Sequence, residues 1–407
     1  MTITSLLRSA PMIRRRRLAL LLTLAAFLAT TMAATPAEAA KRKVPFGFFG
    51  TVLNNTQADR LPDATLDAQM GLMAQSGVET VRSAITWQTA NPRKGVYDFA
   101  AFDRIVAAAA RHHLDVLPIV LHTPQWASSK PRSGNYRLYA PKNPATYANF
   151  MKVLIKRYGP KGSFWRTSGT PKQPIRSWQV WNEQAADFFW ATRPWQPSYV
   201  KLLRKAYRAI HKADRGATVV LGSLAGVTSG TPWEQLRQLY KAGAKGYFDV
   251  VSVHFFSSAP SVGLTTKQTI DIAKLVRHEM KRAHDRGKKV WFTELTWTAA
   301  QGRIPKKDRL GFETTPKGQA ARLKSTFTKL AKQRRRYGIG RVYWYNWASE
   351  YVPQFVPGGP GSLTFQYAGL NKVDGVNYTP LPILSTYTNT VSRFEGCRKT
   401  ANAKRCR

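Results

Sequence analysis

Two glutamates close strand-like runs in this 407-residue chain and define the chemistry available to it. Ile175 to Gln184 alternates apolar and polar residues and delivers Asn182 and Glu183 at its carboxyl end, as a half-buried strand would. Lys289 to Glu294 ends a second apolar run on a carboxylate, with Trp297 close behind. A carboxylate in low dielectric is costly unless it is paired or used, and enzymes use such pairs as acid and base. Two of them flanking a glycosidic bond can cleave it. One protonates the leaving oxygen while the other attacks the anomeric carbon or activates water.

Glutamates so far apart in sequence meet only if the fold gathers strand ends on one face. Strand-like runs recur at Val44–Phe49, Glu79–Arg82, Leu114–Leu121, Ile175–Trp181, Thr218–Leu221, Phe248–His254, Lys289–Glu294 and Arg341–Trp347. Amphipathic helical patterns separate them, over Leu66–Ala74, Ala100–His112, Pro144–Tyr158, Ser198–Ala213, Trp233–Ala242, Thr266–Arg286 and Lys317–Tyr337, and Pro382–Phe394 follows the last strand. Eight alternating units predict parallel pairing and a closed α/β barrel, the (β/α)8 TIM barrel, as a single domain. A doubly wound open sheet is the rival, but no G-x-G-x-x-G follows the first strand.

A barrel brings the carboxyl ends of its strands together, which collects Arg82, His122, Asn182, Glu183, His254, Glu294 and Trp347. Arg82 and His254 can keep Glu294 ionised and oriented, and Asn182 can hold a sugar hydroxyl. Arg82 is equally readable as a structural counter-ion, and His122 as a strand cap. Trp347 is expected to stack beneath a sugar ring, and Trp87, Trp126, Trp181 and Trp297 to line the cleft, since flat aromatic faces suit the apolar faces of sugars. Trp178 and Trp291 are expected between barrel and helices. Trp190 and Trp195 either add outer subsites or fold their loop onto itself.

These residues carry a resemblance. Trp181-Asn182-Glu183 on a fourth strand, with Glu294 ending a seventh, resembles clan A glycoside hydrolases. Leu121-His122-Thr123-Pro124-Gln125-Trp126-Ala127-Ser128 resembles family 39 and its relatives acting on bacterial exopolysaccharides. The resemblance implies a retaining mechanism, with Glu183 as general acid and base, Glu294 as nucleophile and Asn182 contacting the 2-hydroxyl. Retention calls for carboxyl groups about 5–5.5 Å apart. Many relatives have proline where this chain has Gln184, and a tyrosine touching the nucleophile where it has Phe256.

The two ends of the chain read differently from its middle. Arg14 to Arg17 precede an apolar run, Leu18–Ala34, and Ala37-Glu38-Ala39 resembles the pattern read by signal peptidase. Residues 1–40 are therefore expected to be a removed secretory signal, with a retained anchor as the alternative. Residues 41–396 are expected to form the catalytic barrel and 397–407 a basic tail. Cys397 and Cys406, the only cysteines, are expected to pair in an exported chain.

The chain carries a formal charge of +41, and 58 basic against 21 acidic residues remain after residue 40. Such a surface favours polyanions, including an anionic wall or exopolysaccharide polymer. No signature of specific nucleic-acid binding is present, and no later segment is apolar enough for a membrane. No histidine and cysteine cluster has metal-ligand spacing, and the glutamate pair requires no cofactor. Two functions follow: a secreted or wall-associated retaining glycosidase acting on a poly- or oligosaccharide, or a non-catalytic barrel that binds polysaccharide or polyanion at the cell surface.

Overall fold

The computed structural model describes residues 41–54, 58–226, 230–350 and 362–396. Eight parallel strands form the barrel: β1 (Phe49–Val52), β2 (Thr80–Thr86), β3 (Asp115–Leu121), β4 (Ser177–Val180), β5 (Thr218–Val220, with a two-residue continuation at Leu224–Ala225), β6 (Val250–Phe255), β7 (Lys289–Leu295) and β8 (Ile339–Trp344). They run in the order β5-β4-β3-β2-β1-β8-β7-β6. Pairing of Val220 with Val250 closes the ring. The outer helices are α1 (Asp63–Gln75), α2 (Ala100–Arg111), α3 (Pro144–Tyr158), α4 (Trp195–Ala213), α5 (Pro232–Lys241), α6 (Val262–Arg282), α7 (Pro316–Tyr337) and α8 (Pro382–Glu395). The fold is the expected single-domain (β/α)8 barrel.

Local chemistry fixes the helix starts. Asn143 and Thr315 cap α3 and α7 ahead of a proline at the first helical position, and Thr231 with Glu234 forms a capping box on α5. Gly338, left-handed at φ 64°, ends α7 and turns the chain straight into β8.

Most apolar side chains pack between strands and helices. A smaller cluster of Val52, Leu117, Val220, Val250, Trp291 and Tyr343 fills the barrel interior. Space there is tight at β1. A Cβ on Gly50 would lie 2.5 Å from the Thr80 carbonyl oxygen and 2.7 Å from the Tyr343 ring.

Three expectations shift. The first strand starts at Phe49 rather than Val44, because the chain turns at Gly47 (φ 76°) before entering the sheet. Trp291 points into the barrel rather than outward, because β7 slips register against β6 between Phe292 and Glu294. Beyond β8, the strands β9 (Ala348–Glu350), β10 (Asn371–Asp374) and β11 (Asn377–Pro380) form a small additional sheet. Among the described residues, no helix is long and apolar enough to cross a membrane.

Candidate active site

The carboxyl ends of β2, β4, β6 and β7 converge on one cluster. Arg82, fully enclosed on β2, is its hub. Its Nη1 donates to Glu294 Oε1 at 2.6 Å, its Nη2 to Asn182 Oδ1 at 2.8 Å and its Nε to Gln179 Oε1 at 2.8 Å. Gln179 in turn donates from Nε2 to Ser223 and Ser252, both at 2.9 Å. The hydroxyls of Ser252 and Thr293 lie 2.5 Å apart. This polar floor was not foreseen from sequence. It fixes the guanidinium so that its charge faces Glu294.

Glu183 arrives by an unusual route. Past the end of β4, Trp181 and Glu183 both adopt positive φ, 72° and 40°. Residues with side chains pay for that conformation, and such costs concentrate at functional sites. The turn carries the Glu183 carboxyl to His254, whose Nδ1 lies 2.6 Å from Glu183 Oε1. His254 Nε2 lies 3.5 Å from Glu294 Oε1. One oxygen of each glutamate and a nitrogen of His254 all lie within 4.8 Å of one another.

The electrostatics separate the two carboxyls. Burial pushes the Glu183 carboxyl up to about 7, against a smaller downward pull from Arg82. Burial also pushes the His254 imidazole down to about 3; the Glu294 charge opposes this and Arg82 adds to it. Both members of the short Glu183–His254 contact are therefore neutral just below pH 7. Glu294 instead sits directly against a permanent cation, the guanidinium of Arg82. The result is one carboxyl able to give a proton and one held against a positive charge.

The trio Glu183, His254 and Glu294 is also the one group of carboxylates and histidine among the described residues with a spacing that suits a metal ion. Arg82 already supplies a positive charge at the same Glu294 oxygen.

The other expected site residues divide. His122 (φ 68°) lies past the end of β3, outside the trio, and burial with the nearby Arg137 charge lowers it to about 4. Trp126 is partly exposed on the loop after β3, with its indole donating to Asn91 O at 2.9 Å. Trp297 and Trp347, expected in the cleft, are fully enclosed. Their indoles donate to Ser257 O at 3.1 Å and to Gln69 Oε1 of α1 at 3.0 Å, so they pack behind the site. Trp87 and Trp181 are enclosed as well. Trp190 packs edge-on against Trp181 and folds its own loop together.

Tyr345, just past β8, is partly exposed; burial raises its phenol, and the charges of Glu294 and Glu183 add to the rise. Phe256, Phe312 and Phe365 form an aromatic group beside it, with Tyr345 edge-on to Phe365. Cys397 and Cys406, residues 1–40 and the segment 351–361 fall outside the described residues.

Against this geometry the comparisons are consistent. The model of glycosyl hydrolase family 53 matches residues 173–373, which include Glu183, His254 and Glu294. A beta-galactosidase model matches residues 56–133, which include Arg82. No curated protein matches in sequence. A family 39 glycoside hydrolase from the gut symbiont Bacteroides cellulosilyticus WH2 superposes with a TM-score of 0.59 at 17% identity, over 86% of this chain and 64% of that one. This chain thus spans less than two thirds of that protein.

It has the fold of a clan A glycoside hydrolase.

A glucosidase from Croceicoccus marinus superposes with a TM-score of 0.60 at 14% identity, over 88% of this chain and 70% of that one. A family 5 enzyme from Bifidobacterium longum subsp. longum, solved in complex with Manb1-4GlcNAc, gives 0.56 at 15% identity, over 85% and 78%. The clan A resemblance read from Trp181-Asn182-Glu183 and Glu294 thus agrees with what both kinds of comparison find.

Proposed function

We propose that the protein is a secreted glycosidase that cleaves O-glycosidic bonds of a poly- or oligosaccharide by double displacement, with Glu183 as acid and base and Glu294 as nucleophile. The observation that carries the reading is the approach of Glu183, His254 and Glu294 within 4.8 Å at the ends of three strands. Inverting enzymes separate their carboxyls by about 6.5–9.5 Å to admit a water, whereas retaining ones close the gap to about 5–5.5 Å. The short approach supports retention.

In the first step the Glu294 carboxylate attacks the anomeric carbon while Glu183 passes its proton to the departing glycosidic oxygen. The aglycone leaves as an alcohol, and a glycosyl ester on Glu294 remains. In the second step the Glu183 carboxylate takes a proton from water, the hydroxide oxygen bonds to the anomeric carbon, and Glu294 is released. Two inversions restore the starting configuration. Arg82 holds Glu294 in place through its 2.6 Å hydrogen bond to Oε1. The Asn182 amide nitrogen has no partner among the described residues and is available to the 2-hydroxyl.

Export of the barrel after residue 40 and a Cys397–Cys406 bond belong to the same reading, supported by the N-terminal pattern alone. A second reading, a barrel that binds glycan without cutting it, is favoured by Phe256, which offers no hydroxyl to the nucleophile. Two measurements separate them. Glu294→Gln should lower turnover of an aryl glycoside by about 10³-fold or more with an unchanged circular dichroism spectrum. Proton NMR of early product should show the substrate's anomeric configuration. Unchanged turnover in the variant, or inverted product, sinks the assignment.

A further inference from the structure

Helices α6 and α7 pack side by side on the outside of the barrel, and their outer faces open into a groove of about 810 Å³. Lys267 and Lys274 of α6, Lys324, Lys329 and Lys332 of α7, and Arg393 of α8 line it, and all six are exposed. Asp271 neutralises part of one wall, pairing with Lys267 at 2.8 Å and Lys274 at 2.7 Å. The α7 wall has no such relief. Lys324, Lys329 and Lys332 make no ion pair or hydrogen bond among the described residues. Like charges crowded on one helix face destabilise it, and facing them across a concavity concentrates the positive potential.

The groove's composition narrows the partner. Its floor is small and either apolar or hydroxylic, including Ile270, Ala321 and Ser325, and no aromatic ring lines it. Single-stranded nucleic acid draws much of its affinity from base stacking on aromatic rings, which this surface does not offer. Lysine ammonium groups act as separate point charges on flexible stems, suited to single charges repeated along a polymer. α6 starts a few residues after β6, so Gly263 lies toward the catalytic end and the groove runs from there along the flank. The residues following Gly396 are themselves basic and carry no acidic side chain, so their charge opposes their filling it.

We infer that the α6–α7 groove is a secondary binding site for an anionic polysaccharide with carboxylate-bearing sugars, holding the polymer beside the cleft. The choice of a glycan over other polyanions rests on the glycosidase reading; the cationic groove itself does not.

The test compares two charge-matched variants of the purified protein. Lys324→Glu, Lys329→Glu and Lys332→Glu together reverse the groove wall. Lys156→Glu, Lys205→Glu and Lys245→Glu remove the same charge from exposed positions elsewhere. Binding to polygalacturonate is measured against salt, with the fully methyl-esterified polymer, single-stranded DNA and phosphatidylglycerol vesicles as parallel probes. The groove variant should bind polygalacturonate about tenfold or more weakly with a shallower salt slope, and the control variant within about twofold of the parent. The esterified polymer should bind neither tightly nor differentially. Equal losses in the two variants, groove-dependent binding of the esterified polymer, or tighter groove-dependent binding of DNA or vesicles would overturn the inference.

Should the triple reversal lower the melting temperature, the milder Lys324→Gln, Lys329→Gln pair serves instead. It should weaken binding by about threefold, and no loss would count against the groove. Aryl glycoside turnover should be the same in all variants. A parent protein that cleaves no glycoside removes the catalytic reading and leaves this binding comparison intact.

Discussion

At the carboxyl ends of the strands, Glu183 and Glu294 lie beside Arg82; at the amino ends, Glu79 and Glu395 lie beside Arg42. Burial raises the Glu79 carboxyl against the opposing Arg42, and it raises Glu395 well above the ordinary range, with repulsion from Glu79 adding to the effect. A displaced carboxyl therefore marks both ends of this barrel. What differs is access and partners. The side chains of Glu183 and Glu294 keep 9% and 13% of their exposure, and that of Glu79 keeps 1%. Glu79 accepts from the Gly47 amide at 2.7 Å and from Arg42 at 2.9 Å, which pins the chain entering β1 to the barrel floor. Among the described residues the upper pair is bound by side chains alone, Arg82 of β2 and His254 of β6. A shifted carboxyl reports burial; it reports use only where a ligand can arrive.

The sharpest test of that contrast is Glu183→Gln. Loss of the acid should reduce kcat by about 10²–10⁴-fold on a substrate with a poor leaving group, and less on an activated aryl glycoside. In the parent, kcat/KM should fall as pH rises through about 7, where Glu183 gives up its proton, and this limb should vanish in the variant. The substitution should affect stability in the opposite sense to rate. A carboxyl raised when folded stabilises fully below its unfolded value near 4.5 and loses that contribution as pH rises through about 7. At pH 8, chemical denaturation should therefore find Glu183→Gln more stable by about 1–3 kcal/mol. A variant that loses activity and stability together would point to a structural role like that of the lower pair.

The arginines sharpen the contrast from the other side. Arg82→Met leaves Glu294 beside a lost charge and breaks four hydrogen bonds, and should cost about 3–5 kcal/mol. Arg42 keeps 23% of its side-chain exposure, so Arg42→Met should cost only about 1 kcal/mol with normal turnover. Urea unfolding of the two variants decides the ranking, and equal losses would erase it.

The residues at the upper end were legible because most of them close or follow a strand, although β2 runs on past Arg82 to Thr86. Alternating runs that close on Arg82, Asn182, Glu183, His254 and Glu294 announce themselves once eight strand and helix units imply a common face. Gln179, Ser223, Ser252 and Thr293 did not, because a polar residue facing the barrel interior looks like one facing solvent in an alternating strand. Trp291 was misplaced because a one-residue slip in β7 breaks the alternation its assignment assumed. The β10–β11 hairpin did carry a signal, Asp374-Gly375 between strand-like pairs, with Gly375 at φ 57°. The aromatics were the hardest to read, since a ring beyond a strand end takes its direction from the turn that follows.

Glu395→Gln isolates the lower pair. The folded protein holds a proton on Glu395 that the unfolded chain releases, so the parent's stability is full in acid and declines as pH rises through the raised value. The variant should melt at the parent's temperature near pH 4 and above it near pH 8, as followed by differential scanning calorimetry. Its kcat/KM should stay within about twofold, since nothing at that end meets the cleft. A fall in turnover matching that of Glu183→Gln would mean that the two ends are coupled.

The smallest expected effect concerns which aromatic meets the sugar. Trp347→Phe removes the indole bond to Gln69 and a little packed volume, for about 1–2 kcal/mol, and should leave KM and kcat alone. Tyr345→Phe keeps the ring and removes a phenol within reach of the Glu294 and Glu183 charges; kcat should fall by about tenfold with little change in melting temperature. The two substitutions therefore exchange effects, one on stability and one on rate. A rise in KM for Trp347→Phe without one for Tyr345→Phe would require Trp347 to leave its enclosed position against α1 when glycan binds, and would return it to the cleft floor that its place in the sequence first suggested.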